Sequence, residues 1–584
     1  MQILGKIGNY LKNFFNSMEC FRFVLFGALF FGIERVSNIT MGIIMLWSMY
    51  LFIYKLIIKK GIQRIRYRKI IYLFLGAAAF TVMLHWERNL ADNLIVVYFM
   101  AVYFFQIYGL YSEKSNIRCQ REIKRILLFI VSITTVMMLI GFIGLVMFPK
   151  GFEWKGLYFI LHESRFIGIL FNANVAGFYS AMAIIACHIL WRITRAQKQL
   201  SVKRKIFYLS CIAVNALSLF LTDSNAALLF LVTYCSFVMF YIMFRDFGKK
   251  RMHGFILRIA ATALSFVVII TSLIFFRVIT QSQVSLAITS GHSPSEFSTG
   301  VVKEDGMVGL TDDEYKGNVF GHENKNIDSG RFRVWTQAVE MFELFPVMGI
   351  GKANIVDYAN SYIGGLRYSD FHNGLLTILI SYGLIGLNLF IVFSIVTAKD
   401  ILKTIFQYKK KCRDDGSVPV LLTAFCIAYA VYSMFELALL ADISYRVYIF
   451  WLLLGFAVSY VRKYRLQARL EETDQSVIEL PSAVENIRRK HRHKFLYIRA
   501  CIRKLKAKYK SGKTKISDNK NDSDFNQSES AVKIRRKHKH KFLYIRACIR
   551  KLKAKAKSKH KSNSTEISYD KDNDDSKQSE ESSE

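Results

Sequence analysis

Long apolar runs constrain the fold of this chain more than any other feature. Each is about 17–25 residues long, the length of helix that spans the hydrocarbon core of a bilayer. Backbone polar groups in lipid must be hydrogen-bonded within their own segment, so the runs predict transmembrane helices. Twelve of them recur along the sequence, at residues 20–36, 40–57, 69–85, 93–111, 126–148, 167–190, 206–222, 226–244, 254–277, 373–396, 418–440 and 444–461.

The connecting loops predict how these helices are oriented. Lysine and arginine are concentrated in the loops that follow even-numbered runs, whereas the short loops between them carry no such excess. Basic loops are retained in the cytoplasm, so the alternation predicts that both termini are cytoplasmic. The basic loops are residues 59–66, 114–125, 192–205, 245–251 and 399–413.

The net charge of +36 needs its own interpretation, because a strongly basic chain can bind nucleic acid. Here the charge lies in the predicted cytoplasmic loops and the C-terminal tail, which favours contact with anionic lipid over nucleic acid. None of the 9 cysteines falls in a predicted outward loop, so no disulfide framework is expected. No cysteine or histidine pair has metal-ligand spacing, and no metal site is predicted.

The predicted outward loop at residues 278–372 is the exception among short connections. A loop of this length is usually functional. Trp335, Val339 and Phe342 recur within it at helical spacing. They predict an amphipathic helix over residues 331–344 that lies along the outer membrane surface.

The tail beyond residue 461 is polar and contains an internal repeat. Residues 487–505 recur 47 positions later with one change, Lys539 in place of Arg492. Two copies are too few for a repeat solenoid, whereas basic amphipathic helices bind anionic membrane surfaces or acidic partners. The stretches around the copies have a disordered composition, and a duplicated, dispensable tail is the alternative.

Together these patterns predict an all-α polytopic membrane protein with one large extracytoplasmic loop and a mostly disordered basic cytoplasmic tail. We expect the first nine of about twelve transmembrane helices in residues 1–277 and the loop in 278–372. The last three helices are expected in 373–461, and the tail occupies 462–584.

Ionisable and amide residues at a membrane boundary are costly when they face lipid, so they are candidates for function. Four stretches of this kind fall on the predicted outer side of the membrane. They are RFIGILFNAN at 165–174, TDSNAA at 222–227, SGRFRVW at 329–335 followed by GIG at 349–351, and HNGLL at 372–376 followed by GLIG at 383–386.

This set of stretches, in this order, resembles the O-antigen ligase/polymerase superfamily of membrane glycosyltransferases. That family shows Arg-x-x-Gly-(x)3-Asn-x-Asn, a Ser-Arg-Gly-type turn, Gly-Arg-(x)3-Trp, Gly-x-Gly, and a His-Asn that opens a helix ending in Gly-x-x-Gly. The resemblance covers residues 165–390 and implies a GT-C-like fold in the bacterial cytoplasmic (inner) membrane. It also implies transfer of a glycan from undecaprenyl diphosphate to an acceptor, without a metal ion or cofactor.

The resemblance assigns roles to the outward residues. Arg331 and Arg165 are expected to stabilise the departing diphosphate, because arginine offers phosphate a permanently charged, bidentate fork. His372 is expected to deprotonate the acceptor hydroxyl, and Asp370 is close enough in sequence to orient it. Further substrate contacts are expected from Asn172, Asn174, Asn225, Arg333, Asn373 and Arg446.

One position departs from the family pattern. Where the family has an arginine after the serine of the turn, this chain has Asn225, which can hydrogen-bond a phosphate but carries no charge. Either another cation, such as Arg446, replaces that arginine, or the donor is bound differently.

Two other classes of protein would also be multi-pass. A flippase or transporter of lipid-linked sugar should place ionisable residues at mid-membrane and often contains inverted repeats, neither of which the sequence shows. A scaffold acting through its basic tail would leave the outward motifs unexplained. The predicted partners are therefore a lipid-linked glycan, a glycan or glycolipid acceptor, and anionic lipid at the tail. The sequence does not separate a ligase from a polymerase.

Overall fold

The computed structural model describes residues 11–31, 38–59, 61–109, 116–148, 151–154, 157–162, 164–170, 172–245, 252–289, 331–366 and 370–478. The chain divides into two units, Met1–Asp474 and Gln475–Glu584. Everything that follows concerns the first unit. The repeated segment of the tail lies outside the described residues.

Helices dominate the first unit. In chain order they are α1 (Met18–Phe30), α2 (Asn38–Leu51), α3 (Arg68–Leu84), α4 (Leu90–Val102), α5 (Asn116–Met147), α6 (Ala173–Ala196), α7 (Val202–Leu221), α8 (Asn225–Arg245), α9 (Met252–Thr289), α10 (Arg331–Leu344), α11 (Ile355–Tyr362), α12 (Gly374–Gln407), α13 (Lys409–Asp414), α14 (Val418–Tyr432) and α15 (Tyr445–Ile478). Two of them continue as π-helices, α2 into Phe52–Ile58 and α4 into Tyr103–Tyr108. Short 3-10 helices occur at Gly61–Arg64 and Lys352–Asn354.

Each predicted apolar run falls on one of these helices. Among the described residues, 8 helices are long and apolar enough to cross a membrane, and α14 is a shorter apolar helix. The polytopic helical architecture is therefore present, while the span count of twelve stays a prediction. The predicted amphipathic helix of the loop is present at Arg331–Leu344.

Two boundaries differ from the prediction. The run at 418–440 leaves the helix after Tyr432, and the irregular segment 433–444 follows before α15 begins. The run at 167–190 starts too early, because α6 begins only at Ala173. Residues 433–444 are apolar enough to pass for helix, yet they carry a buried Glu436 that needs polar partners.

A small antiparallel sheet precedes α6 and is an exception to the all-α prediction. Its strands are β1 (Phe152–Trp154), β2 (Leu157–His162) and β3 (Arg165–Gly168), in the order β1-β2-β3. The register between β2 and β3 shifts at Ile160, whose φ is 69°, and a second left-handed residue, Ser164, lies in the connection to β3. These two bends turn the chain back and place Arg165 at the start of β3.

The core of the unit is formed by α6 and by residues 445–461 of α15, where most side chains are buried. Aromatic rings join α15 to its neighbours, as where Trp451 packs against Phe104 with ring centroids 4.7 Å apart. In contrast, α9 exposes most of its apolar side chains. Such a surface is expected for a helix at the lipid-facing edge of a bundle.

Helix α12 is interrupted at Gly383, and residues 346–351 fill the interruption. Gly383 has φ 62° and ψ −168°, and a Cβ there would lie 2.1 Å from the Val347 carbonyl oxygen, so only glycine fits. Backbone hydrogen bonds cross the seam from Ile350 N to Ile380 O at 3.0 Å and from Leu384 N to Pro346 O at 2.9 Å. The loop segment thus pairs the backbone groups that the kink leaves without helical partners.

Candidate functional site

A buried carboxylate, Glu436, organises the predicted site residues. Its side chain is only 6% exposed and lies in segment 433–444. Arg331 Nη2 is 3.5 Å from Oε1, and Arg446 Nη1 is 3.5 Å from Oε2. Asn174 Nδ2 donates to Oε1 at 3.2 Å. Two guanidinium groups from distant helices therefore share one carboxylate.

Arg165 joins this group through Asn174. Its Nη2 donates to Asn174 Oδ1 at 2.7 Å, and its Nε donates to the Thr222 carbonyl oxygen at 2.9 Å. The side chain is thus held between β3, the start of α6 and the turn between α7 and α8. An arginine that merely reached for the membrane surface would not need these partners. We refer to Arg165, Arg331 and Arg446, with Asn174 and Glu436, as the arginine cluster.

The turn between α7 and α8 packs closely against α6 beside the cluster, because α6 has a glycine at the contact. A Cβ at Gly177 would lie 2.7 Å from Ser224 Cβ, so glycine lets the turn approach closely. Asn225 begins α8, and its Oδ1 accepts a hydrogen bond from Arg277 Nη1 at 2.8 Å. Arg277 Nη1 also lies 3.1 Å from Asp223 Oδ1. The guanidinium of Arg277, on α9, therefore lies next to Asn225, the position at which the family has an arginine.

His372 and Asp370 form a pair immediately before α12. The Asp370 Oδ1 accepts from the His372 backbone N–H at 2.6 Å and lies 3.3 Å from Nδ1. His372 has φ 46°, a left-handed backbone that is strained for a residue with a side chain. Its side chain is 30% exposed, so the ring is accessible while its orientation is fixed.

Contacts on both sides of His372 connect it to the elements of the arginine cluster. Trp335, one turn along α10 from Arg331, donates from Nε1 to the Phe371 carbonyl oxygen at 3.2 Å. Gly374 N donates to the Ser433 carbonyl oxygen at 2.7 Å, at the start of the segment that carries Glu436. Trp335 thus helps to position the histidine segment.

Two predicted substrate-binding asparagines cap helices. Asn172 Oδ1 accepts from Asn174 N at 2.8 Å at the start of α6, and Asn373 Oδ1 accepts from Leu375 N at 3.0 Å at the start of α12. An asparagine N-cap contributes about 1 kcal/mol to a helix. Capping accounts for both residues, and their substrate contacts stay predictions.

The remaining predicted residues divide between the cluster and the surface. Arg446 is in the cluster and also lies 3.7 Å from Asp442. Arg333 is exposed on α10, and no contact of the described residues joins it to the cluster. Lys352, which directly follows the segment 346–351, is a further basic residue. Burial lowers the pKa of its ammonium, and the Asp370 and Asp442 carboxylates only partly oppose that shift.

Sequence reasoning missed Glu436 and Arg277. Glu436 is a single acid inside an apolar stretch, and Arg277 is at the end of an apolar run, where it passed for a boundary residue. The signal that could have found both is the cost of placing an ionisable group in an apolar segment, which by itself indicates a partner.

A family model described as O-antigen ligase matches residues 210–391. The matched range runs from α7 into α12 and contains Asn225, Arg277, Arg331 and His372. Four of the five residues of the arginine cluster lie outside it, in flanking chain: Arg165, Asn174, Glu436 and Arg446. No curated protein matches the sequence.

The match agrees with the helical architecture and with the resemblance carried by the four outward stretches. It covers α10, which is the helix of the long loop, and then the His372 segment, in the order that the resemblance requires. Residues 210–391 of this chain are therefore similar to the O-antigen ligase family, which supports the resemblance seen in the sequence.

Proposed function

We propose that this protein transfers a glycan from undecaprenyl diphosphate onto an acceptor hydroxyl in the biosynthesis of a cell-surface polysaccharide. The observation that carries the proposal is the arginine cluster beside a histidine whose ring is oriented by a carboxylate. Positive charge suits the diphosphate that departs, and a base suits the hydroxyl that attacks. The family supports a lipid-linked donor and an acceptor in general.

The geometry of Glu436 suits a site that exchanges one anion for another. Its separations of 3.5 Å from both guanidinium groups exceed the about 2.7–2.9 Å of a charge-assisted hydrogen bond. Arg331 Nε is buried and has no hydrogen-bond partner among the described residues. Glu436 therefore balances the charge of the arginines without occupying their donors, which leaves them for phosphate oxygens.

His372 acts as the base in this mechanism. Because Asp370 binds Nδ1, Nε2 takes the proton from the acceptor hydroxyl. The acceptor oxygen then forms a bond to the anomeric carbon while the bond from that carbon to the diphosphate oxygen breaks. The electron pair leaves with the diphosphate, which Arg331 and Arg446 stabilise. Attack opposite the leaving group inverts the anomeric centre, and no metal ion enters the mechanism.

A flippase is less well supported. The site residues lie at one end of the helices, at the start of α6, α12 and α15 and at the end of α7. A transporter is expected to hold its substrate near the middle of the membrane. In the described part of the chain, the arginine cluster and the His372 pair are both at that one end.

The test is transfer from a synthetic undecaprenyl-diphosphate-linked oligosaccharide in membranes that contain matched amounts of each variant. Donor alone should give lengthened glycan if the enzyme polymerises, and added membrane glycolipid should give a glycosylated lipid if it ligates. His372→Ala should reduce either product about 10²–10⁴-fold, the usual contribution of a general base.

His162→Ala is the matched control, because the His162 ring packs on Tyr158 and has no role in the proposal, while alanine keeps the backbone pairing of this position with Arg165. It should transfer at the wild-type rate. No glycan product from wild-type membranes in either arm would overturn the proposed function. Near-normal transfer by His372→Ala would overturn the assignment of the base alone.

A further inference from the structure

Arg277 is a partly buried cation that the proposed mechanism does not use. It lies in the second half of α9, a mostly apolar helix that packs on α7 and α8, and its side chain is 18% exposed. A charged group in such a helix is costly unless something gains from it. The helix is held in register at this point, because Gln281, one turn further on, donates to the Phe220 carbonyl oxygen at 2.9 Å.

Two guanidinium groups meet the turn between α7 and α8 from different sides. Arg277 reaches its side chains, Asp223 and Asn225, whereas Arg165 donates to the carbonyl oxygens of Thr222 and Asp223. Asp223 has φ 51°, so the turn is held in a strained form between the two arginines. Through Arg165 and Asn174, the turn is connected to Glu436 and the cluster.

The hydrogen bonding of Arg277 is incomplete. Its Nη1 makes both contacts to the turn, while its Nε is buried with no hydrogen-bond partner among the described residues. Arg331 has the same incomplete Nε. A buried donor without an acceptor is unfavourable, and a phosphate oxygen would supply the missing acceptor.

We propose that Arg277 is a further phosphate-binding arginine of the donor site, which supplies from α9 the positive charge that the turn lacks at Asn225. The inference rests on the proposed function and extends it to a residue on another helix. Asn225 holds the guanidinium through its amide oxygen, and Asp223 balances its charge until phosphate arrives. Arg277 binds and does not react.

A phosphate at this place can come from the diphosphate donor or from an anionic phospholipid. The two sources are separated by measuring transfer in neutral phosphatidylcholine vesicles and in vesicles with added phosphatidylglycerol. Binding of the donor predicts that Arg277→Gln lowers kcat/KM about 10²-fold in both kinds of vesicle. A dependence on phosphatidylglycerol that Arg277→Gln abolishes would assign the site to the phospholipid and overturn the proposal.

The decisive variant moves the guanidinium group. In Arg277→Gln/Asn225→Arg the charge returns to the turn, so at least 10-fold of the lost kcat/KM should be recovered. If Arg277 only ties α9 to the turn through Asp223, the double variant recovers nothing and both variants melt at a lower temperature. Arg277→Lys keeps the charge but not the fork, so it should raise KM for the donor with little loss of melting temperature, even if the glutamine variant folds poorly.

Arg258→Gln is the matched control, since Arg258 is on the same helix near its other end, where it donates to the Met243 carbonyl oxygen. It should leave kcat/KM unchanged. Wild-type kcat/KM in Arg277→Gln, beside an active wild type, would overturn this inference and leave the proposed function standing. If the wild type makes no product, binding of undecaprenyl diphosphate to wild type and Arg277→Gln tests the inference by itself, and equal affinities overturn it.

Discussion

Two carboxylates in this molecule each lie between a pair of arginines, at opposite ends of the same two helices. Glu436 is near the start of α12 and α15, and Asp400 is near the end of the first and beside Arg465 of the second. From Arg446 to Arg465 along α15 is about 28 Å at the rise of an α-helix. The two sites have similar residues and very different geometry.

The Asp400 site is closed. Arg465 Nη2 lies 2.7 Å from Oδ1, while Arg66 and the Tyr67 hydroxyl both bind Oδ2. Burial, together with the hydrogen bond to Asp400, raises the pKa of Tyr67 to about 12. These four residues connect the loop before α3 to α12 and α15.

The Glu436 site differs because its arginines are not fully hydrogen-bonded. Its arginines lie 3.5 Å away, and a buried guanidinium N–H of Arg331 has no acceptor among the described residues. A closed ion pair stabilises a fold, whereas a loose one can release its cations to a ligand. Hydrogen bonding, more than residue type, therefore distinguishes a structural ion pair from a binding site.

The largest difference is expected from lysine replacements. Arg331→Lys should reduce transfer about 10²–10³-fold, because a point charge cannot replace a bidentate fork at a developing anion. Arg66→Lys should leave transfer unchanged per folded molecule and lower the melting temperature instead. Arg413→Lys, at an exposed position of α13, is the control and should change neither quantity. Equal losses of transfer from the Arg331 and Arg66 variants would refute the distinction.

Neutralising each carboxylate should affect the two sites differently. Glu436→Gln and Asp400→Asn each remove a carboxylate that two arginines share, and the loss of stability is expected to be on the order of 3 kcal/mol for the more buried Glu436. Undecaprenyl diphosphate should raise the melting temperature of Glu436→Gln more than that of the wild type, because it supplies the missing negative charge. Its effect on Asp400→Asn should equal that on the wild type. Identical shifts in all three proteins, measured by thermal unfolding in detergent, would mean that Glu436 does not face the donor.

The smallest effect concerns Tyr67. Its folded pKa of about 12 exceeds the ordinary 10.0, so the folded state keeps a proton that the unfolded state releases. This contribution to stability is complete below pH 10 and is lost as the pH rises towards 12. Tyr67→Phe should lower the melting temperature slightly at neutral pH and flatten its decline above pH 10, with transfer unchanged. A parallel decline in both proteins would show that Tyr67 does not titrate in this way.

The sequence predicted most helices and the order of the outward motifs, because both depend on local pattern. It could not predict that Glu436 meets Arg331, since the pair joins elements about a hundred residues apart and Glu436 is a single charge without a motif. The left-handed Ile160 carries no glycine-like signal, so the sheet before α6 was also missed. Arg277 lay at the edge of an apolar run and gained meaning only from its contact with Asn225.

The seam at Gly383 has a consequence for how the protein is made. Leu384 and Ile385 donate their backbone N–H groups to the carbonyl oxygens of Pro346 and Val347, so α12 is incomplete without the loop. If the helix entered the bilayer alone, those donors would be unpaired in hydrocarbon, at a cost of several kcal/mol each. During synthesis residues 346–351 emerge before α12 does. The partners of Leu384 and Ile385 are therefore synthesised before the helix that needs them, and α12 is completed only when residues 346–351 pack against it.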